Sequence, residues 1–220
     1  MTKPTEPVKS SKRGLFAAGL AGAVAAVAAL YVIAGPNGNI TGGQSCTAAL
    51  ETAAKITPFA TGDVAAFLPA SAPLDLTNLT FRGPDDQPVT MTDFKDRTIL
   101  LNLWATWCAP CRLEMPALDA LQADMGNEDF QVVTVNLDRG GPEKPKAFLE
   151  EIGVSDLAYY HDSSNGILKD LRKVARATGL PTTILVDPDG CEIGTMYGPA
   201  EWASGDAKAL IKNALAQPES

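Results

Sequence analysis

The amino-acid sequence predicts an α/β protein in which helices cover both faces of a mixed central sheet, preceded by one transmembrane helix. Short apolar runs separated by helical patterns predict strands joined by helices, and two later runs joined by a tight turn predict an antiparallel pair. A segment of 20 uncharged residues near the N-terminus predicts the membrane helix. The 220 residues, 45% of them apolar, suffice for one domain of roughly 150 residues and a sizeable additional segment.

Charge and cysteine content narrow the possible functions. The net charge is −8, with +3 on residues 1–35 and therefore −11 on the remainder. Because such an acidic body repels phosphates, we expect no nucleic-acid partner. Four cysteines are too few for a disulfide-stapled miniprotein, and one histidine, His161, leaves almost no material for a histidine-based metal or triad site. We expect His161 to be a surface or core residue.

Residues 15–34 (LFAAGLAGAVAAVAALYVIA) form the predicted membrane anchor. A helix of this length spans a hydrocarbon core of ~30 Å at a rise of ~1.5 Å per residue. The basic cluster before it places residues 1–14 in the cytoplasm and the acidic remainder on the exported side. A cleaved signal peptide is the alternative, but its apolar stretch is usually ~7–15 residues long and is followed by small residues. The bulky residues 30–33 favour an uncleaved anchor.

The residues after the anchor divide into a tether and a main domain. Residues 35–45 are rich in Gly, Asn and Ser, a composition typical of flexible chain. We assign residues 35–59 to an exported tether that ends in a short helix over about 46–57. Residues 60–217 form the predicted main domain.

Within this domain, periodicity and turn residues predict the elements in order. A hairpin covers about residues 74–92, with its turn at residues 83–86. Apolar and β-branched runs predict strands at 98–104, 130–136, 158–161, 182–186 and 192–197. Apolar positions at helical spacing predict helices at about 109–125, 142–152, 165–174 and 204–216. The turn at residues 187–190 (DPDG) joins the last two strands.

Residues 107–111 (WCAPC) carry the chemical signal. Two cysteines three positions apart at the start of a helix can close a disulfide, and the helix N-terminus offers partial positive charge and free N–H groups to the first sulfur. Cys108 is therefore the expected low-pKa thiolate and Cys111 its partner. Half of a zinc site and an inert disulfide are the alternatives, but zinc needs a second ligand pair that two isolated cysteines and one histidine do not supply. We predict a redox-active disulfide and neither a metal nor another cofactor.

Residues 100–116 (LLNLWATWCAPCRLEMP), together with residues 179–183 (GLPTT), resemble the membrane-anchored, thioredoxin-like thiol-disulfide proteins of the TlpA/ResA type. The likeness extends over roughly residues 60–217 and is closest to the TlpA branch. It implies a thioredoxin fold with an N-terminal extension and a central insertion within residues 138–175. It also implies a reductase held at the bacterial inner membrane, with its C-terminal domain and its tether in the periplasm.

The resemblance also assigns a proton acceptor. Asn102 stands where thioredoxins carry a buried Asp, and an amide cannot titrate, so the acceptor must lie elsewhere. Glu114 follows Cys111 by one helical turn and matches the acidic residue of the family's CxxCxxExP pattern. We therefore expect Glu114 to be the third catalytic residue; an exposed helix carboxylate is the alternative.

Client binding is assigned to five residues around the cysteine pair. Pro181 matches the cis-proline of thioredoxin folds, so the Leu180–Pro181 bond can hold a backbone edge that pairs with an incoming peptide. A trans proline that starts a strand is the alternative. We expect Trp107 to belong to an apolar rim around the first cysteine, with Ala109 and Pro110 completing the binding surface.

Cys46 and Cys191 lie outside the redox motif. In an oxidising compartment two leftover cysteines tend to pair, so we expect a structural disulfide between them. Such a bond would restrain the N-terminal segment against the final hairpin, with a gain of roughly 3–5 kcal/mol in the chain-entropy model. The alternative is two separately packed thiols.

Three functions from different classes compete. The first, which the resemblance to the TlpA branch implies, is a periplasmic protein-disulfide reductase in respiratory oxidase biogenesis, with cytochrome c maturation as its alternative. Its clients would be a copper chaperone, an oxidase subunit or an apocytochrome, and a membrane dithiol would supply its electrons. The second is a copper chaperone, which CxxC spacing in place of CxxxCP disfavours. The third is a peroxidase, which the paired Cys111 disfavours.

Overall fold

The computed structural model describes residues 46–216. The predicted anchor at residues 15–34 and the first part of the tether lie outside this range. Across residues 46–216, every helix is too short or too polar to cross a bilayer.

Five α-helices and eight strands make up the described part of the chain. The helices are α1 (Thr47–Ile56), α2 (Ala109–Met125), α3 (Glu143–Glu151), α4 (Gly166–Lys173) and α5 (Gly205–Leu215). The strands are β1 (Leu68–Pro69), β2 (Thr80–Arg82), β3 (Pro88–Thr90), β4 (Thr98–Trp104), β5 (Phe130–Asn136), β6 (Tyr160–His161), β7 (Thr182–Val186) and β8 (Glu192–Tyr197). Single 3-10 turns occupy Thr57–Phe59, Gly62–Val64 and Met91–Phe94. The four long strands begin and end at the predicted residues.

These strands form one mixed sheet in the order β1-β8-β7-β4-β5-β6-β2-β3. Strand β5 pairs in parallel with β4 and β6, whereas the other pairings are antiparallel. A parallel pair needs a crossover, and α2 supplies it between β4 and β5. The predicted mixed sheet with helices is thus confirmed.

Each face of the sheet buries its own apolar cluster, because side chains alternate along the strands. One cluster joins helices α1, α2, α3 and α5 to the sheet through Ala49, Ala53, Ile56, Leu100, Trp104, Met115, Leu118, Phe148, Leu185, Ile193 and Leu210. The other joins the β2–β3 hairpin and α4 to the sheet through Phe81, Phe94, Ile99, Leu101, Leu103, Val133, Val135, Ile167, Leu171 and Ile184. Residues 46–59, which the sequence assigns to the tether, thus contribute a helix to the same core as the redox helix α2.

The topology brings the cysteine motif and the proline segment to one edge of the sheet. Strand β4 ends at Trp104, and residues 105–108 then lead into α2. Strand β7 runs antiparallel to β4, and its first residue, Thr182, pairs with Leu103. Residues 180–181, directly before β7, therefore lie at the edge where the cysteine motif begins.

Candidate active site

The cysteine pair lies at the N-terminus of α2. Cys108 is the N-cap residue, and its sulfur accepts a hydrogen bond from the Cys111 backbone N–H at 3.3 Å. The two cysteines form a disulfide with a Cα–Cα distance of 5.3 Å. Cys108 is 6% exposed and Cys111 is 0% exposed, so Cys108 is the member of the pair that is closer to solvent. When the pair is reduced, the N–H bond and the helix dipole stabilise a thiolate at Cys108.

Glu114 is buried and lies one turn beyond Cys111 along α2. Its Oε1 accepts a hydrogen bond from Asn102 Nδ2 at 2.8 Å, and its Oε2 accepts one from the Ala200 backbone N–H at 3.2 Å. The Asn102 amide also donates to Thr183 Oγ1 at 2.9 Å, which fixes its orientation. Asn102 therefore orients the carboxyl group of a neighbouring element.

The ionisation of Glu114 is set mainly by desolvation. Burial raises its pKa from 4.5 to about 7, although the hydrogen bonds from Asn102 and Ala200 and the nearby Trp202 side chain act in the opposite direction. The buried indole N–H of Trp202 makes no hydrogen bond within normal distance, yet it is close enough to lower this pKa. A carboxyl group with a pKa near neutrality can both accept and return a proton under physiological conditions.

The surface around Cys108 is apolar and accessible. Trp107 is 66% exposed, Ala109 is exposed and Pro110 is half-buried. The Leu180–Pro181 bond is cis, and the Pro181 carbonyl accepts a hydrogen bond from the Gly198 N–H at 3.0 Å. The half-buried Leu180 packs against both apolar clusters. The residues predicted to bind the client flank or begin two elements: Trp107 precedes α2, Ala109 and Pro110 begin it, and Leu180 and Pro181 precede β7.

Hydrogen bonds to the Asp138 carboxylate hold the loop that leads into the cysteine motif. Asp138, which follows β5, accepts hydrogen bonds from the Thr106 N–H at 2.9 Å and the Thr106 hydroxyl at 2.8 Å. Asn136 Nδ2 donates to the same carboxylate at 2.8 Å. Although burial raises the pKa of Asp138, these hydrogen bonds outweigh it and the net pKa lies below its usual value. Asp138 thus remains a carboxylate and fixes the residue two positions before Cys108.

Cys46 and Cys191 form a second disulfide, with a Cα–Cα distance of 5.5 Å. Both residues are buried, and the Cys191 N–H donates to Asp187 Oδ1 at 2.7 Å. Cys191 lies just before β8, opposite the end of β7 that pairs with the start of β4. This disulfide therefore lies at the opposite end of the central strands from the Cys108–Cys111 pair.

The single histidine of the chain, His161, is held by contacts with neighbouring side chains. His161 lies in β6, where its ring stacks on Tyr159 and its Nε2 is 3.1 Å from Asp86 Oδ1. Within the described range, no group of three or more His, Cys, Asp or Glu side chains is arranged to hold a metal ion.

Sequence reasoning missed three contributors to the site: Asp138, Ala200 and Trp202. Asp138 could have been found, because the ends of parallel strands are where polar functional residues gather in α/β proteins. Ala200 acts through its backbone, and Trp202 lies 88 positions beyond Glu114, so no local pattern connects either residue with the carboxyl group.

Comparison with known proteins agrees with this geometry. The Redoxin family model matches residues 69–211. Thiol-disulfide oxidoreductase ResA of Oceanobacillus iheyensis is 35% identical over 106 residues, which cover 48% of this chain and 52% of that protein. Thiol:disulfide interchange protein HelX of Rhodobacter capsulatus is 33% identical over 115 residues, which cover 52% of this chain and 60% of that protein. The aligned region thus spans between about half and three-fifths of these relatives.

Solved structures share the fold. A thiol:disulfide interchange protein of the thioredoxin family from Chlorobium tepidum superimposes with a TM-score of 0.54 at 21% identity, over 67% of this chain and 99% of that one. A DsbF homologue from Corynebacterium diphtheriae gives a TM-score of 0.52 at 23% identity, over 67% and 88%. The sheet topology and the cysteine pair at the start of α2 define a thioredoxin-like protein. The chain belongs to the Redoxin family, and its ResA and HelX relatives confirm the resemblance drawn from the WCxPC motif.

Proposed function

We propose that this protein is a thiol-disulfide oxidoreductase that reduces disulfides in client proteins. The observation that carries the proposal is the arrangement of one slightly exposed cysteine, one fully buried cysteine and one buried carboxyl group along the first turns of α2. Relatives named as thiol-disulfide oxidoreductases support it.

The reaction begins with both cysteines reduced. The Cys108 thiolate attacks one sulfur of a client disulfide, so that a mixed disulfide forms and one client thiolate leaves. Cys111 then loses its proton to the Glu114 carboxylate and attacks the Cys108 sulfur. This second attack releases the other client thiolate and closes the Cys108–Cys111 disulfide. The client gains two electrons and the enzyme loses two, which leaves the oxidised form that the structure contains.

The residues between the cysteines favour the reducing direction. Strong oxidases of this fold commonly place a His there, whose positive charge stabilises the thiolate and hence the reduced protein. Ala109 and Pro110 provide no such charge. The reduced form is therefore less stabilised, and the enzyme donates electrons more readily.

The setting of the reaction is the second part of the proposal. The uncharged segment at residues 15–34 and the basic cluster before it support an inner-membrane anchor with the redox domain in the periplasm. A reductase in an oxidising compartment needs a supply of electrons, and we assign it to a membrane dithiol protein. We place the clients in respiratory oxidase biogenesis, as a copper chaperone or an oxidase subunit, with an apocytochrome as the alternative.

Trapping the mixed disulfide tests client and reaction together. In a Cys111→Ala variant produced in the native host, the second step is blocked and the client stays bonded to Cys108. We expect non-reducing electrophoresis and mass spectrometry to identify an oxidase-assembly protein, whereas an apocytochrome would select the alternative. A Cys108→Ala control should trap nothing. Absence of any adduct from a folded, membrane-bound Cys111→Ala protein would contradict the proposal.

The direction of electron flow requires a separate measurement. Equilibration of the full chain with glutathione, followed by alkylation of Cys108 and Cys111, gives the potential of the pair. We expect a value well below that of a dedicated oxidase, and a value near −120 mV would exclude the reductase function.

A further inference from the structure

An open cavity of ≈390 Å³ lies between α3 and residues 105–108, the loop that leads into the cysteine pair. Thr106 and Arg112 line it, two residues before and four residues after Cys108. The remaining lining residues lie along one face of α3, at Lys144, Ala147, Phe148 and Glu151. The cavity is therefore next to the sulfur that a client disulfide must reach.

Two cationic side chains, Arg112 and Lys144, line this cavity. The Arg112 guanidinium lies 4.7 Å from the centroid of the Phe148 ring, which holds the cation over the surface of α3. Lys144 is close enough to Asp138 to lower the pKa of that carboxyl, and Asp138 is bonded to Thr106. Lys144 is therefore near Thr106, where the Asp138 carboxylate offsets part of its charge, and Arg112 is held over Phe148.

Glu151, the acidic residue among those that line the cavity, lies at the end of α3 away from Lys144. Glu151 follows Lys144 by seven residues, which is about 10 Å along the axis of α3 at ~1.5 Å per residue. Residues 36–220 carry a net charge of −11, and Arg112 and Lys144 are the two cations among the residues that line this cavity. Charge at a short distance from a binding surface selects partners by the sign of their own charge.

We propose that this cavity is a client subsite for an acidic side chain, Asp or Glu, within about three residues of the reacting client cysteine. The inference rests on the proposed function, because the client is held there by its bond to Cys108. The carboxylate of this client Asp or Glu would accept charge-assisted hydrogen bonds from the fixed Arg112 guanidinium and from the Lys144 ammonium. The exposed Trp107 and Leu113 would contact apolar parts of the same segment.

The test compares peptides that differ only beside their cysteine. Each peptide carries its cysteine as a 2-thiopyridyl disulfide, with Glu, Gln or Lys two residues away. Attack by the Cys108 thiolate of the reduced full chain forms the peptide–Cys108 disulfide and releases 2-thiopyridone, whose absorbance gives the rate. The ratio of the Glu rate to the Gln rate isolates the subsite, because the reactivity of the thiolate cancels. We expect this ratio to be about fivefold at low salt and to fall as salt is added.

Matched variants separate the subsite from net charge. Arg112→Gln/Lys144→Gln should bring the Glu-to-Gln ratio close to one, and Arg112→Glu should favour the Lys peptide. The control Lys95→Gln/Lys173→Gln removes the same charge, one before β4 at the opposite sheet edge and the other at the end of α4. It should leave the ratio unchanged.

Two results would overturn the subsite. One is a ratio of one in the unsubstituted protein, and the other is a ratio that survives the loss of Arg112 and Lys144. Neither result affects the reductase function, which is tested by turnover on a protein disulfide. Failure of that turnover with an intact preference for Glu would count against the reductase function alone.

Discussion

Two glutamates of this protein are buried to nearly the same extent but have opposite surroundings. Glu114 is 3% exposed and Glu192 is 2% exposed. Both oxygens of Glu192 accept hydrogen bonds from Arg176 Nε, at 2.6 and 2.7 Å, and Thr195 Oγ1 adds another at 2.6 Å. Glu114 has only neutral donors. Burial alone therefore does not decide what a carboxyl group does: a paired one holds the structure together, and an unpaired one can exchange a proton.

The largest effect expected from this difference concerns Glu192, the glutamate that is paired with an arginine. Arg176→Met would leave the Glu192 carboxylate buried without a cation, at a cost of about 3 kcal/mol in the free energy of unfolding. Urea unfolding of the oxidised protein at pH 7 measures it. The control Arg172→Met removes a neighbouring exposed cation and should cost much less. A loss below about 1 kcal/mol in Arg176→Met would show that solvent replaces the pairing.

A second prediction uses the pH dependence of stability. Because the pKa of Glu114 is 4.5 unfolded and about 7 folded, the folded protein binds the extra proton between these values. The contribution of Glu114 to the free energy of unfolding is therefore fully favourable below pH 4.5. It declines as pH rises to about 7 and is constant above that pH, which amounts to a loss of about 3 kcal/mol. Glu114→Gln should remove this part of the slope of unfolding free energy against pH. An unchanged slope would mean that Glu114 is ionised throughout.

The role of Glu114 can be predicted from the sequence, whereas the role of Glu192 cannot. Glu114 has a fixed spacing from the cysteines on one helix, so its position follows from the helical repeat. Glu192 lies in a predicted strand, but its partner Arg176 lies in the segment after α4, and only the tertiary fold brings them together. Long strands were predictable from buried runs because both faces of the sheet are covered. The two-residue strand β1 has no such signal, since its pairing with β8 is set by tertiary contact.

The kinetic role of Glu114 gives a third prediction. If its carboxylate takes the proton of Cys111, the second step should slow as pH falls below about 7, the pKa of the group. Glu114→Gln should lower the rate of mixed-disulfide resolution at pH 7.5 by at least about tenfold, with Cys108 attack less affected. Rapid acid quenching of the mixed disulfide at a series of pH values separates the two steps. Glu192→Gln is the matched control and should keep the pH profile of the wild-type protein. An identical profile in Glu114→Gln would assign the proton to another acceptor.

The smallest expected effect concerns the indole N–H that faces Glu114. Because the Trp202 N–H lowers the pKa of this carboxyl, Trp202→Phe should raise it while keeping an aromatic ring in the core. We expect the midpoint of the resolution-rate profile to move upward by roughly half a pH unit, equivalent to about 0.7 kcal/mol. Trp104→Phe is the control, since it also removes a buried, unbonded indole N–H but one that does not act on Glu114. A loss of stability without a shift in the midpoint would confine Trp202 to packing. A shift of the same size in both variants would attribute it to loosening of the core.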